Sequence, residues 1–458
     1  MKSIKTLNLG ILLMAFIFTG CDDNLDLEPE QDLTPEAALG SANNIQNLLV
    51  GAYDLAGQNE IFAGSYNLAS ELIANTGELA WRGTFQGPAE FNRKQITTGN
   101  GFVADYWITS YAVSNQANLI LENLDKFEEE EEAARVEGEA KFLRAAVYFD
   151  LLRFFSLPYK AEGGNSQLGV PLVTTGVSDA SQIEYPSRNT VEEGYNFVIQ
   201  DLTDAISKLP GSNPIDDFYA NKFAAEALLA RVYLQQGNYQ GALEASNNVI
   251  ESNSYSLTGN FAGAFNNDGN STEDIFAWQI TTQDGVNDMN VFWATRKFGG
   301  RSLTGDVTIE EPYFAVFNDE EDDRSMFFYT GDDTGTFSTT KWQNQFANIP
   351  FLRLAEMYLI RAESNFRLGS SLGATPVEDI NTLRNRAGAL TLSSATLEDI
   401  LEERKRELAF EGFALHDVKR LEQSIDGLPF DANSLVLPIP QREMDANLNL
   451  EQNPGYTN

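Results

Sequence analysis

Cysteine and histidine are nearly absent from this sequence of 458 residues, which has one cysteine, Cys21, and one histidine, His416. A disulfide within the chain needs two cysteines, and a zinc site built from several cysteine or histidine ligands needs more of both. Both features are therefore excluded. We interpret His416, beside Asp417, as making a structural hydrogen bond and not as a general base. Because the sequence also lacks a nucleophile elbow, a phosphate-binding loop and a metal motif, no catalytic residue, metal or cofactor is predicted.

Basic residues are scarce as well, with 31 Lys and Arg against 67 Asp and Glu, which gives a net charge of −36. Nucleic acid needs a basic surface, so it is excluded as a partner. Such acidity is typical of solubility in a salty or crowded medium. The acidic run 319–323, followed by Arg324, lacks the glycine and terminal glutamate of a calcium-binding EF-hand loop. We therefore interpret it as a solvated loop in preference to a calcium site.

The only uncharged apolar run at the N-terminus, residues 9–18, is too short to span a bilayer. It follows Lys2 and Lys5 and ends in Thr19-Gly20-Cys21, an order typical of an export signal. An ordinary signal peptide that is cleaved nearby, with the cysteine present by chance, would show the same pattern. However, the placement of the single thiol resembles a bacterial lipoprotein box, which implies a signal peptide 1–20 and lipidation of Cys21. Residues 21–33 would then form a tether.

Residues 349–388 have the pattern of a helical hairpin. An apolar stripe recurs at steps of three and four, Gly369 can end the first helix, and Thr375-Pro376 with Glu378 can begin the second. We interpret Arg353 and Glu356, one helical turn apart, as a structural ion pair. The stripe consists of Leu352, Ala355, Leu359, Ala362 and Phe366.

Similar patterns recur along the chain. Residues 224–252 resemble a tetratricopeptide hairpin, Thr190 and Glu193 form a capping box, and helices are predicted over 102–127 and 396–412. The predicted fold is mainly α, with tetratricopeptide-like hairpins as a scaffold and a loop-rich subdomain that contains short strands such as 274–280. Within one domain, 34–458, the predicted scaffold covers about 34–74, 101–253 and 349–420, and the predicted ligand-facing insertions cover about 75–100 and 254–348.

Four blocks in this order resemble the SusD/RagB family of Bacteroidetes surface lipoproteins: residues 139–158, 224–250, the hairpin at 349–388, and 404–420. Phe413 and Ala414 depart from the Arg and Trp that family members commonly carry there. The resemblance implies a non-catalytic glycan-binding protein that is lipid-anchored in the outer membrane and faces the cell exterior. It also implies a partner, a SusC-like TonB-dependent transporter, to which the protein would deliver oligosaccharides during nutrient uptake.

A surface glycan site needs exposed aromatic rings, on which sugar C–H faces stack, and planar polar groups for the hydroxyls. Two stretches, 75–91 and 281–301, combine both residue types. Trp107 and Trp278 are interpreted as core residues, and ordinary packing is also an open alternative for each candidate tryptophan. The predicted glycan-binding residues are Asn75, Trp81, Arg82, Phe85, Asp288, Trp293, Arg296, Arg301 and Trp342.

Two other functions stay open. A surface glycoside hydrolase needs a carboxylate pair that meets only in space, and the release of new reducing ends from a polysaccharide would favour it. A tetratricopeptide-type scaffold would bind a protein or peptide in a groove formed by the hairpins themselves. Co-purification with a large outer-membrane β-barrel would instead favour the glycan-binding protein.

Overall fold

The computed structural model describes residues 38–214, 218–331 and 335–457. The predicted signal peptide, the tether and Cys21 lie outside these residues. Within the described ranges, fifteen α-helices and six short strands form a mainly helical structure, so the predicted fold class is confirmed. None of the helices in these ranges combines the length and the apolar character that a membrane span requires.

The helices run through most of the chain and vary from 4 to 26 residues in length. In chain order they are α1 (Ala42–Ala56), α2 (Ser65–Ala74), α3 (Gln86–Arg93), α4 (Gly101–Leu121), α5 (Glu130–Phe155), α6 (Val191–Lys208), α7 (Lys222–Gln236), α8 (Tyr239–Glu251), α9 (Asp288–Trp293), α10 (Glu311–Phe314), α11 (Leu354–Leu368), α12 (Pro376–Arg386), α13 (Leu397–Leu408), α14 (Ala414–Arg420) and α15 (Gln441–Ala446).

The scaffold is a series of helices in which each packs on the next. Helix α5 packs between α4 and α6, α6 packs on α7, and α7 packs on α8. Helix α8 then packs on α11, which also contacts α12 and α13. Because each helix contacts its neighbours in the series, this arrangement is consistent with tetratricopeptide-like hairpins. The core runs through α5, where Phe142, Phe149 and Phe154 are buried.

The local signals for helix ends are confirmed. Gly237 and Gly369 follow α7 and α11 with φ of 73° and 63°, a left-handed conformation that glycine adopts without steric cost. Thr190 and Thr375 each accept a hydrogen bond from the backbone of the glutamate three residues later, which completes the capping boxes of α6 and α12.

Two predicted helix ends and one predicted loop are wrong. The helix predicted over 102–127 ends at Leu121, and the helix predicted over 396–412 ends at Leu408. The segment 75–100, predicted to be a loop, contains a strand and α3. Its strand forms only by pairing with a segment more than 200 residues later in the chain, which local periodicity cannot indicate.

The six strands form two small antiparallel sheets. They are β1 (Leu79–Trp81), β2 (Asp274–Trp278), β3 (Val307–Ile309), β4 (Phe328–Thr330), β5 (Phe337–Thr339) and β6 (Ile349–Arg353). One sheet has the order β1-β3-β5-β4, and the other pairs β2 with β6.

The hairpin predicted over 349–388 begins with a strand, β6, and not with a helix. Leu352 is buried in β6 and not on the helical stripe, because residues 349–353 pair with β2 and the helix begins at Leu354. The predicted pair of Arg353 with Glu356 is also wrong, since helical spacing does not apply across a strand. Arg353 contacts Glu273 instead, and Glu356 binds Arg231 at 2.7 Å. Phe366, at the other end of the stripe, is 39% exposed.

Candidate functional site

The two insertions with predicted glycan-binding residues meet in one sheet. Strand β1, from the first insertion, pairs with β3, from the second, so that Leu79 lies opposite Ile309 and Trp81 lies opposite Val307. The backbone N–H of Arg82 continues the pairing by donating to the carbonyl oxygen of Asp306 at 2.7 Å. Five of the predicted residues are thereby brought to one region. We call this region the Phe85 site, and it comprises Trp81, Arg82, Phe85, Arg296 and Arg301.

Phe85 is the exposed aromatic ring of the site, with 43% of its surface accessible. The guanidinium carbon of Arg301 lies 4.0 Å from its ring centroid, a cation–π contact. Phe102 and Phe292 support the ring edge-on, with centroids at 5.9 and 6.1 Å. An aromatic side chain held in this way keeps its position while part of its surface stays open to solvent.

Trp81 lies beside this ring and is half-buried. Its ring centroid is 6.0 Å from that of Phe292, so Phe292 contacts both candidate aromatic residues. Gly83 is needed for the close fit, because a Cβ atom there would lie 2.4 Å from the indole. The indole Nε1 is buried and has no hydrogen-bond partner among the described residues.

The arginines of the site are held by neighbouring polar groups. Arg82 donates from Nε to Thr308 Oγ1 at 2.8 Å and pairs with Glu310 at 2.9 Å, while 43% of its side chain stays exposed. Arg301 pairs with Asp306 at 2.8 Å. Arg296 is exposed and donates to the carbonyl oxygen of Arg301 at 3.3 Å. Guanidinium groups fixed in this way can donate hydrogen bonds to ligand oxygens.

Trp293 and Trp342 do not reach this surface. Trp293 is 0% exposed and packs on Phe410 at 5.2 Å, and Trp342 is 4% exposed and donates from Nε1 to the carbonyl oxygen of Phe410 at 3.1 Å. A sugar cannot stack on a ring with no accessible face. The prediction that these two tryptophans are exposed is therefore wrong, because segments distant in sequence cover them. Trp107 and Trp278 are buried as predicted.

Asn75 and Asp288 are occupied by structural roles. The Asn75 side chain holds the turn before β1, where its oxygen accepts from the backbone N–H groups of Gly77 and Leu79 at 2.8 and 2.9 Å. Asp288 begins α9 and accepts from Ser65 Oγ at 3.3 Å. Burial is the main cause that raises the pKa of the Asp288 carboxyl to about 7; the hydrogen bond from Ser65 opposes the rise and the nearby Glu60 adds to it.

The acidic run 319–323 and His416 also make structural contacts. Asp319 accepts from the backbone N–H of Leu390 at 2.7 Å, and Asp322 pairs with Arg324 at 2.8 Å. In the part of the chain that the structure describes, no three His, Cys, Asp or Glu side chains are grouped as metal ligands. His416 is buried against Phe154 and does not bond to Asp417, whose carboxylate accepts from Arg404 and Arg420 instead.

The structure also contains a cavity of about 760 Å³ between α2, α13 and α14, which the sequence did not predict. Its walls include Leu401 and Phe413 as well as Glu71, where burial raises the pKa of the carboxyl to about 7. Phe102, Phe292, Asp306 and Glu310, which support the Phe85 site, were also missed. The only feature of the sequence that indicated a role for these four residues was their position within or beside the two predicted insertions.

Two family models match the chain. A model described as "SusD family" matches residues 186–428, and one described as "Starch-binding associating with outer membrane" matches residues 23–234. Among curated relatives, the "SusD-like protein P2" of Formosa agariphila is 27% identical over 99% of this chain and 100% of its own length. The "Starch-binding protein SusD" of Bacteroides thetaiotaomicron is 24% identical, with 96% of each chain covered.

Solved structures share the same architecture. A SusD superfamily protein from Bacteroides thetaiotaomicron has a TM-score of 0.81 and 25% identity, covering 90% of this chain and 100% of that one. A structure described as a putative sugar binding protein, from Bacteroides vulgatus, has a TM-score of 0.79 and 28% identity. It covers 91% of this chain and 99% of its own.

Proposed function

The chain belongs to the SusD family, and from that premise we propose that it binds an oligosaccharide or polysaccharide without cleaving it. The ligand contacts the Phe85 site. Two lines of support meet here: one matching family model is described as starch-binding, and the insertions that carry the exposed aromatic ring lie together. The observation that carries the proposal is the partly exposed ring of Phe85 beneath the Arg301 guanidinium.

The chemistry of the site suits a sugar. The C–H face of a pyranose stacks on an aromatic ring, and the ring of Phe85 is held in place by Phe102 and Phe292. The hydroxyl groups beside that face accept hydrogen bonds from guanidinium groups, which Arg82 and Arg301 supply. Because these donors are already oriented by Glu310 and Asp306, little side-chain entropy is lost on binding.

The proposal extends to the place of action. Cys21 is lipidated and holds the protein at the outer face of the outer membrane, where it passes its ligand to a TonB-dependent transporter. The support is the lipoprotein box at the N-terminus and the family description, which names association with the outer membrane. The helical hairpins supply the surface for the transporter, since the insertions are used for the ligand.

The test of the site is the variant Phe85→Ala, measured by affinity electrophoresis against a panel of polysaccharides. It should weaken binding by about tenfold, since an aromatic contact is worth about 0.5–1.5 kcal/mol beyond its buried area and 1.4 kcal/mol corresponds to tenfold. Phe366→Ala is the matched control, because Phe366 is 39% exposed and lies on the scaffold helix α11.

Equal retention of both variants and the wild type would refute the Phe85 site. The hydrolase alternative is tested in the same samples by measuring new reducing ends after prolonged incubation. Their appearance would contradict the non-catalytic function. If the protein instead binds a protein or peptide in the 760 Å³ cavity, neither the wild type nor any variant should be retained by a polysaccharide.

A further inference from the structure

The Phe85 site gathers positive charge in a strongly acidic protein. Arg82, Arg296, Lys297 and Arg301 lie on its two segments, and we call these four side chains the cationic rim. Asp and Glu supply 67 of the 458 residues, yet neither occurs in residues 79–89 or 289–305, the two stretches that carry the rim. These two stretches therefore carry only positive charge, in contrast to the net charge of −36.

The rim is not neutralised by its surroundings. Arg82 and Arg301 each pair with one carboxylate, Glu310 and Asp306. Arg296 and Lys297 are exposed and have no carboxylate within ion-pair distance in the described ranges. Four cations thus face two paired carboxylates.

Two further acids lie near the rim, and neither forms an ion pair with a rim cation in the described ranges. Asp288 interacts with Arg301, but burial raises the pKa of its carboxyl to about 7, so that it carries only part of a charge at neutral pH. Glu60, which acts on Asp288, is the second, and its side chain is exposed to solvent. The arginines of the scaffold show the opposite arrangement: Arg353, for example, is 2% exposed and contacts Glu273, Glu407 and Glu411.

We infer that the ligand of the Phe85 site is an anionic polysaccharide, one whose sugars carry carboxylate or sulfate ester groups. This inference rests on the proposed glycan site and narrows it. The sugar ring lies on Phe85, and the anionic group binds Arg296 and Lys297, with the exposed part of Arg82 within the same rim. A neutral glycan has no need of unpaired cations, whereas a polyanion approaching a protein of charge −36 requires a local region of positive potential. Guanidinium groups also bind carboxylate and sulfate oxygens in a bidentate manner.

The test compares the full-length wild type with the double variant Arg296→Gln/Lys297→Gln. Affinity electrophoresis at low and at physiological salt uses polygalacturonate and alginate as carboxylated probes, carrageenan and fucoidan as sulfated probes, and amylopectin and laminarin as neutral probes. The double variant should bind the preferred anionic probe at least about tenfold more weakly, because a hydrogen bond to a charged group contributes about 1.5–3 kcal/mol. Wild-type binding should also weaken as salt rises.

A matched double variant, Lys160→Gln/Lys222→Gln, removes the same charge from side chains that are 47% and 42% exposed outside the Phe85 site. It should bind like the wild type. The carboxylated and sulfated probes distinguish the two sources of negative charge.

Each other outcome is decisive. If the wild type retains only neutral probes, and Phe85→Ala loses that retention, the inference of an anionic ligand is wrong while the proposed glycan site stands. An equal loss in both double variants would also overturn it, because a general charge effect would then explain the binding. Retention of no probe by the wild type would overturn both this inference and the proposed function.

Discussion

Lys419 is a lysine in the protein interior. It lies on α14 with 2% of its surface exposed, and its Nζ donates to the carbonyl oxygen of Arg153 at 2.9 Å. Burial, together with the positive charge of Arg153, lowers the pKa of the Lys419 ammonium to about 7. The same surroundings, with burial as the main cause, lower the pKa of His416 well below its ordinary value. Both side chains are therefore structural and sensitive to pH.

The variant Lys419→Met should change how stability depends on pH. In the unfolded chain Lys419 keeps its proton up to its ordinary pKa of 10.5, while in the folded protein it loses the proton near pH 7. Between these values the unfolded state binds one more proton, so this residue makes the folded state more stable as pH rises. The free energy of unfolding of the wild type should rise relative to that of the variant by about 1.4 kcal/mol per pH unit.

Urea denaturation at pH 7.5, 8.5 and 9.5 measures this difference. Lys405→Met, at a side chain that is 46% exposed, controls for the loss of a surface lysine. Parallel stability curves for Lys419→Met and the wild type over this range would show that Lys419 titrates normally in the folded protein.

Helix α13 has two acidic faces with opposite surroundings. Glu403 and Glu407, one turn apart, are 0% exposed, whereas the side chain of Glu402 is 45% exposed. Glu407 contacts Arg353 at 3.1 Å and Arg386 at 2.5 Å. Burial alone would raise the pKa of the Glu407 carboxyl, but Arg386, Arg353 and Arg324 together lower it far below the ordinary value. The buried face of α13 thus joins β6, α12 and the second insertion.

Glu407→Gln should destabilise the protein strongly. The amide cannot balance the buried guanidinium groups, and removal of one partner from a buried ion pair costs about 3–5 kcal/mol. Glu402→Gln, on the exposed face of the same helix, should cost less than about 1 kcal/mol. Chemical denaturation of the two variants provides the comparison, and equal stabilities would show that the buried ion pairs of Glu407 do not stabilise the fold.

The whole protein combines the predicted lipoprotein sequence at its N-terminus with a folded region that carries the proposed glycan site. Cys21 precedes the described residues, and the Phe85 site lies entirely within them. Anchoring and glycan binding should therefore be separable, because neither depends on the residues that serve the other. This separation is a property of the proposed function that single-residue contacts do not reveal.

Cys21→Ala should move the protein from the membrane fraction to the soluble fraction, since it removes the thiol that accepts the lipid in the proposed anchor. Fractionation of cells and labelling with a radioactive fatty acid measure this change, and Asn24→Ala in the predicted tether is the control. Glycan affinity of the purified variant should equal that of the wild type. Membrane retention of Cys21→Ala, with undiminished labelling, would refute lipidation at this residue.

Much of the helical scaffold follows from local sequence. Gly237 and Gly369 end helices, and Thr190 and Thr375 begin them, because a left-handed turn or a capping box involves only residues a few positions apart. The apolar stripe of α11 likewise predicted the burial of Ala355, Leu359 and Ala362. These features need no knowledge of the rest of the chain.

The tertiary structure alone decided which aromatic residues are accessible and which ion pairs form. Trp293 and Phe85 both lie in predicted insertions rich in polar residues, yet Phe410 covers one and solvent reaches the other. Arg353 contacts carboxylates more than 50 residues away, and β6 forms because β2 is beside it. Burial and pairing depend on which distant segment covers a surface, whereas caps and periodicity depend on neighbours along the chain. The sequence therefore determined the helical framework, and packing between distant segments brought together the residues of the proposed glycan site.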